Sequence, residues 1–481
     1  MGTAGRSVCL LVGCLALVWV TRVVIGLARQ RHPDGHLLDR SVALIGIAVL
    51  AALGSCLVSV GIAGHLDETS LSSLINFATR NAWADSWRFM ATAIDHLREH
   101  PDVPLYQSLF FNMHLKFIYP ISSLVWMDLL QQRLGWDWAH LTVLINKLCW
   151  LVLLMAVPLG ARLVWTQATA LQPIAQSQRL VYAAGLLLIT GIATITFYPL
   201  LLSYQAGQIQ TPITLLVVLA FVAWQQRWPV LAGVLLGICC AFKPQWLVML
   251  PWALLRRQVG MAAALAATFG ALTAVAAARY GTDSVTGYLS VLRYISEHGE
   301  AYYANQSVNG LVNRLVNSQD LLSFDDHRYP DYQLPVHVSS LLTSLLLIGL
   351  ALFHRWRETP GVLDLAIVIL SLTMASPVAW EHHYGVVLPI LLLLAPEALR
   401  RRPFGRGSEA WFIVAFVLVA DSFFGVTKQW VAAPFNLLQS SILFGAAMVL
   451  LMLYRASMRQ GVAIDEGETV RLPGPPAALP A

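Results

Sequence analysis

The chain has 481 residues, of which 57% are hydrophobic and only 12% are charged, a balance that excludes an ordinary soluble globular domain. The formal net charge of +5 comes from basic residues scattered over short loops, which is typical of cytoplasmic anchoring and not of nucleic-acid binding. The six cysteines all lie in apolar stretches, so we expect buried thiols with neither a disulfide framework nor a metal site.

About 13 apolar stretches divide the chain, with lengths that suit complete or broken membrane helices. Clustered arginines follow alternate stretches, and because Lys and Arg collect on the cytoplasmic side of a membrane, this alternation orients each stretch. We therefore predict an all-α polytopic membrane protein whose polar motifs face outward. The predicted spans are residues 8–28, 41–63, 141–160, 180–202, 211–224, 230–242, 246–255, 259–278, 338–353, 363–374, 385–394, 411–424 and 437–454.

The spans define six regions. The first large outer loop contains two helix-like pieces, residues 81–100 and 105–130, which we predict to be interfacial helices. The regions are two N-terminal transmembrane helices (1–64), the first outer loop (65–139), a transmembrane bundle (140–279), a second outer loop (280–337), a second bundle (338–455) and a disordered cytoplasmic tail (456–481).

An acidic residue, Asp85, lies among aromatic residues in the first outer loop. A carboxylate in such surroundings can have a raised pKa and act as a general base that takes a proton from a hydroxyl group. The alternatives are an interfacial aromatic anchor with a solvated acid, or a pair between Asp85 and Arg88 on one helical turn.

Four basic or imidazole side chains lie on the outer face, where cations are scarce. His382 and His383 are neighbours and can donate hydrogen bonds to a phosphate, whereas Lys243 and Arg314 suggest an anionic partner such as a lipid phosphate. The alternatives are interfacial histidines beside Glu381 and a lysine whose stem extends along the membrane interface.

The segment Asn305-Gln306-Ser307 has two interpretations. It fits the acceptor pattern for N-glycosylation, which often occurs by chance, and it also suits a loop that binds sugar hydroxyls through hydrogen bonds. Asp364 and Asp421 lie within or beside predicted spans, where buried acids are typical of proton relays, so a transporter or flippase for a lipid-linked or small polar substrate is the alternative function.

Taken in order, these motifs resemble glycosyltransferase family 87, the polyprenyl-phosphate-mannose-dependent mannosyltransferases of the GT-C superfamily. The chain departs from the family in having an extra N-terminal span, and isoleucine at 121 and glutamine at 210 replace the family's proline and asparagine. The motifs that carry the resemblance are Asp85, Leu105-Tyr106, Tyr119-Pro120, Gly207-Gln208, Lys243-Pro244-Gln245, Asn305-Gln306-Ser307 with Arg314, Ser376-Pro377, Trp380 and His382-His383.

The resemblance implies a GT-C-like fold and an inverting transfer of mannose, or another hexose or pentose, from a polyprenyl-phosphate donor to a lipid or glycan acceptor. It implies no cofactor, no obligatory metal and no nucleotide sugar. Together with the alternation of the arginines, it predicts an active site on the periplasmic side of a bacterial inner membrane. Asp85 is then the base, and Lys243, Arg314, His382 and His383 are candidates to bind the donor phosphate. The candidates for binding sugar or acceptor are Tyr119, Gln208, Asn305, Gln306 and Glu381.

Overall fold

The computed structural model describes residues 36–64, 69–79, 82–316, 322–325, 327–400 and 407–467. The first predicted span, residues 8–28, and the end of the predicted tail, residues 468–481, lie outside the described residues. Within the described ranges the chain is helical and forms no β-strand beyond an isolated bridge between Asn305 and Trp380.

The described residues form α-helices joined by short turns. One π-helical turn, Gln107–Asn112, and five 3₁₀ turns interrupt them, at Ile121–Ser123, Gln176–Gln178, Pro244–Val248, Glu381–Val386 and Phe435–Ser440. The α-helices are α1 (Leu37–Ala63), α2 (Ser70–Thr79), α3 (Asp85–Glu99), α4 (Val125–Leu134), α5 (Trp138–Leu171), α6 (Arg179–Thr196), α7 (Tyr198–Gln205), α8 (Gln210–Gln225), α9 (Pro229–Phe242), α10 (Met249–Leu255), α11 (Val259–Tyr280), α12 (Thr282–His298), α13 (Val308–Val316), α14 (Leu334–Phe353), α15 (Val362–Met374), α16 (Val387–Ala398), α17 (Ser408–Ala420), α18 (Phe424–Thr427) and α19 (Ser441–Gly467).

Six helical segments in the described part are long and apolar enough to cross a membrane, and five shorter apolar segments accompany them. A bilayer core about 30 Å thick requires roughly 20 apolar residues in a helix. The protein is therefore an all-α integral membrane protein, as predicted. The count of about 13 spans and the GT-C-like architecture stay predictions.

Several predicted stretches are divided differently in the structure. The stretch at 180–202 is two helices, α6 and α7, because Phe197 is extended and a proline follows it in the first turn of α7. The interfacial helix predicted at 105–130 is interrupted by extended backbone around Tyr119-Pro120, since a residue before proline disfavours helical geometry. Helix α19 reaches Gly467, beyond residue 456, where we expected a disordered tail to begin.

Two short helices, α15 and α16, form the centre of the bundle. Every residue of both helices is buried, and a helix that is apolar on all sides is stable only when other helices surround it. The connection between them, residues 375–386, contains Trp380 and the two adjacent histidines. The architecture therefore holds these polar residues at one end of the two central helices.

Asp128, on α4, joins three separate elements through one buried carboxylate. Arg98 of α3 donates to its Oδ1 atom, while Arg279 Nε and Tyr280 Oη of α11 donate to Oδ2 at 2.5 and 2.7 Å. Burial alone would raise the pKa of Asp128, but the hydrogen bonds from Arg279, Tyr280 and Arg98 hold it below its ordinary value. The carboxylate thus fastens α3 and α4 to the end of α11.

We predict that Asp128→Asn lowers the free energy of unfolding by about 1–3 kcal/mol, because both arginines lose their charged acceptor. Thermal unfolding in detergent measures this change. Since the folded-state pKa is depressed, the stabilisation is present above the unfolded pKa of about 4 and is lost as pH falls through the folded value. The difference from wild type should therefore shrink in acid.

The control is Asp137→Asn, on an exposed acid that caps the N-terminus of α5 through the amide of His140. Asparagine caps a helix about as well as aspartate does, so this variant should unfold close to the wild-type temperature. Equal melting of the Asp128 and Asp137 variants would contradict the role given to Asp128.

Candidate active site

Asp85 is placed by main-chain hydrogen bonds between two loops distant in sequence. The amide of Trp83 donates to Gln205 O at 2.6 Å, and the amide of Asp85 donates to Ala206 O at 2.9 Å. Asn146 of α5 reinforces this contact by donating to Trp83 O at 3.0 Å. The first residue of α3 is therefore held against the loop that follows α7.

Glycine at position 207 is required by this close approach. Its φ angle is +66°, a conformation that residues with a side chain rarely adopt. A Cβ atom added there would lie 2.1 Å from the carbonyl oxygen of Trp83, so any side chain would push the two loops apart.

The carboxylate of Asp85 is oriented by Gln208, which follows Gly207 in the loop after α7. The Gln208 side-chain amide donates to Asp85 Oδ2, and Ser86 Oγ donates to Gln208 Oε1 at 2.7 Å. Ser86 and Gln208 are buried whereas Asp85 is half-buried. A fixed carboxylate that is still partly accessible is the geometry that a general base needs.

Tyr119 completes this network. Its hydroxyl lies 2.8 Å from Ser86 Oγ, and its carbonyl accepts a hydrogen bond of 2.7 Å from Tyr106. Burial, and the nearby charge of Asp85, raise the pKa of Tyr119 well above its ordinary value, so the phenol stays protonated. Asp85, Gln208 and Tyr119 therefore lie together, as three of the predicted site residues.

The segment carrying Tyr119 also reaches the end of α9. Ser122 Oγ donates to Ala241 O at 2.6 Å, two residues before Lys243. The ammonium of Lys243 has no hydrogen bond or ion pair to any described residue, and burial lowers the pKa of Lys243 to about 7. A half-buried cation without a protein anion is suited to receive a negatively charged ligand.

The two histidines lie near Lys243. Their rings meet edge to face with centroids 4.7 Å apart, and no described side chain donates to or accepts from either ring. Burial, and secondarily the charge of Lys243, lower the pKa of His382 to about 3 and that of His383 well below its ordinary value. Both imidazoles are thus neutral at physiological pH, and each can donate one hydrogen bond.

The connection that carries the two histidines, residues 375–386, is named the histidine turn here. It is held in place by residues 304–307. Glu381 N donates to Ala304 O at 3.0 Å and Gln306 N donates to Ala379 O at 2.7 Å, which forms a short antiparallel contact. The Asn305 side chain donates to Glu300 O and Pro377 O and accepts from Ala379 N at 2.9 Å. Asn305 is fully buried, which is incompatible with glycosylation of the folded chain.

Gln306 and Arg314 serve the same framework. The Gln306 amide donates to Gln439 O at 2.7 Å, and the Arg314 guanidinium donates to Asn305 O at 2.9 Å and Ser440 Oγ at 2.6 Å. Both side chains are almost completely buried. The described contacts therefore commit them to carbonyl and hydroxyl groups of the protein.

Glu381 is buried beside this framework. Tyr198 Oη donates to its Oε2 atom at 2.9 Å. Burial raises the pKa of Glu381 to about 8, although the bond from Tyr198 and the charge of Arg314 oppose the rise. Its described side-chain hydrogen bond is with Tyr198 of α7 and not with the Asp85 network.

Sequence reasoning missed two residues at this site. Ser86 donates to Gln208, and Asn146 donates to the carbonyl of Trp83, yet a lone serine beside an acid or a lone asparagine in an apolar stretch carries no recognisable pattern. Asp364, considered as a proton relay, accepts bonds of 2.7 Å from Gly361 N and Ser457 Oγ, so it caps α15 and links that helix to α19.

Comparison with known proteins matches the chain to a described family. The model of "Glycosyltransferase family 87" matches residues 117–377. This range includes Tyr119, Gln208 and Lys243, whereas Asp85 and the histidine pair lie outside it. No solved structure matches the chain.

Two curated relatives are both named polyprenol-phosphate-mannose-dependent alpha-(1-2)-phosphatidylinositol mannoside mannosyltransferase. The protein of Mycolicibacterium smegmatis is 27% identical over 260 residues, covering 52% of this chain and 53% of the relative. That of Mycobacterium tuberculosis is 25% identical over 300 residues, covering 60% of this chain and 64% of the relative. The chain therefore spans between half and two thirds of the length of these relatives.

Proposed function

Because the chain belongs to glycosyltransferase family 87, we propose that it moves mannose, or another hexose or pentose, from a polyprenyl-phosphate donor to a lipid or glycan acceptor. The names of both relatives support this donor class, and they suggest a phosphatidylinositol mannoside as the acceptor to test first. We place the reaction on the periplasmic face of a bacterial plasma membrane, as the arginine distribution predicts.

One observation carries the proposal. The segment from Tyr119 to Ser122 contacts the Asp85 network at one end and the end of α9, next to Lys243, at the other. This chain of contacts supports assigning a group able to accept a proton and a group able to receive a phosphate to one site. Sugar transfer from a lipid phosphate needs both groups at once.

In the proposed reaction, the oxygen of an acceptor hydroxyl attacks the anomeric carbon while Asp85 accepts the proton of that hydroxyl. The bond from that carbon to the phosphate oxygen breaks, and polyprenyl phosphate leaves with the electron pair. Gln208 holds the carboxylate in place, and Ser86 and Tyr119 hold Gln208. A single displacement of this kind inverts the anomeric configuration.

Negative charge develops on the departing phosphate, and stabilising that charge is the second task of the site. Lys243 supplies the positive charge, while the neutral rings of His382 and His383 supply hydrogen-bond donors. The histidine turn is held in place by Arg314, Asn305, Gln306 and Glu381. This role differs from the binding of phosphate or sugar that was predicted for these residues. Gln208 and Tyr119 likewise orient the base and need not contact the sugar.

The direct test supplies the purified full-length protein with radiolabelled polyprenyl-phosphate mannose and a phosphatidylinositol mannoside in lipid vesicles. We expect label in a larger glycolipid without added nucleotide sugar. A protein that moves the donor across the vesicle membrane and transfers no sugar would instead support the transporter alternative.

We predict that Asp85→Asn lowers turnover by about 10²- to 10⁴-fold, the usual contribution of a general base. Asparagine preserves size and hydrogen bonding, so the melting temperature and donor affinity should stay close to wild type. Asp102→Asn, on an exposed acid of the same loop, is the control and should remain fully active. Near-normal turnover of the Asp85 variant would mean that another acid is the general base.

We predict that kcat/KM for the donor falls as pH rises above about 7. Lys243 is charged below its pKa of about 7 and loses that charge above it, and kcat/KM reports the free enzyme. Lys243→Arg should remain charged and remove this fall. Lys243→Met should weaken donor use roughly ten- to hundredfold, as expected for loss of a charge-assisted contact, and an unchanged pH profile in Lys243→Arg would contradict the assignment.

We predict that Asp102→Cys reacts with a membrane-impermeant thiol reagent in intact cells, because we place the first outer loop on the periplasmic side. A cysteine at position 357, which is exposed after α14, should react only after the membrane is permeabilised. Both variants are made in a background without the native cysteines. The opposite labelling pattern would reverse the orientation and place the site on the cytoplasmic face.

A further inference from the structure

A buried ion pair joins the two large outer loops. Lys116 Nζ lies 2.7 Å from Glu300 Oε2, and both side chains are less than a tenth exposed. The ammonium also lies 4.6 and 4.5 Å from the ring centroids of Phe324 and Tyr329. The aromatic rings shield the pair from water, so its geometry is tightly determined.

Stability alone is a poor explanation for this pair. Taking two charges out of water costs several kcal/mol per ion, and replacing both partners with neutral residues of similar size is often neutral or stabilising. The role of the pair therefore lies in the two chain segments that it holds in place.

On the side of Lys116 the chain leads to the general base. Phe117 is fully buried, the carbonyl of Ile118 accepts a hydrogen bond of 3.1 Å from Tyr288, and Tyr119 contacts Ser86. Only two residues, Phe117 and Ile118, therefore separate Lys116 from the tyrosine whose phenol supports Gln208 and Asp85.

On the side of Glu300 the chain leads to the histidine turn. Glu300 O accepts from the Asn305 amide at 2.9 Å, and Asn305 Oδ1 accepts from Ala379 N at 2.9 Å. The next two main-chain positions carry Trp380 and Glu381, and His382 follows. One buried residue, Asn305, thus connects Glu300 to the backbone that carries the two histidines, which we propose to donate hydrogen bonds to the phosphate.

We propose that Lys116 and Glu300 are positioning residues that hold the base side and the phosphate side of the site at a fixed separation. This inference rests on the proposed function. Attack and departure must be in line at the anomeric carbon, and a displacement of about 1 Å can lower the rate by roughly a hundredfold. Disrupting the pair should therefore lower kcat more than it raises KM for the donor.

The test compares Lys116→Met, Glu300→Gln, the double variant and Lys116→Arg in the transfer assay. Lys116→Met and Glu300→Gln each leave one charge buried without its partner, so each should lower the melting temperature. The double variant removes both charges and should recover most of that loss, yet its kcat should stay at least about tenfold below wild type while the donor KM changes less than about threefold. Lys116→Arg keeps the charge and should retain most of the turnover.

The matched control is Arg293→Met with Glu297→Gln, which removes an exposed ion pair of 2.9 Å on α12. This control should match wild type in melting temperature and in kcat. Wild-type kcat in the folded Lys116 and Glu300 double variant would overturn the positioning role. Absence of transfer by the wild-type protein would instead count against the proposed function, so the two failures are distinguishable.

Discussion

The arrangement of the site depends on how one buried stretch of irregular backbone satisfies its hydrogen bonds. The connection between α15 and α16 lies at the end of two fully buried helices, and unpaired backbone groups are costly in such surroundings. Residues 304–307 supply the missing partners through a short antiparallel contact and the Asn305 side chain. That contact, together with the bond from Tyr198 to Glu381, defines the position of the histidine turn.

This requirement explains why so many polar residues of the motifs do not face a ligand. Asn305, Gln306 and Arg314 are almost completely buried, with their described bonds directed to the protein. By contrast, Lys243 and the histidine rings have no described hydrogen-bond partner. The polar motifs thus divide into residues that build the framework and residues that remain available for substrate.

The sequence predicted the apolar spans well where proline punctuates them. The stretches at 211–224, 230–242 and 246–255 correspond closely to α8, α9 and the paired turn and helix that follow. It also singled out the segments that we propose to carry the chemistry, because charged and amide residues are rare in an apolar chain. Asp85, Gln208 and Tyr119 do lie together in the structure.

The roles of individual residues were harder to predict because they depend on partners far away in sequence. Lys116 and Glu300 are separated by 184 residues, and nothing in the neighbourhood of either residue indicates the other. The same holds for Asp128, whose partners Arg279 and Tyr280 come from the end of a membrane helix. Helix boundaries follow local patterns, whereas these contacts follow from tertiary packing.

In the proposed reaction one base, Asp85, and one phosphate-binding side act together in a single displacement. NMR on the product of a donor of known configuration determines the anomeric configuration of the transferred sugar. We expect a product of opposite configuration to the donor. Retention of configuration would require two displacements and a second nucleophile, and it would contradict the assignment of Asp85 as the sole base.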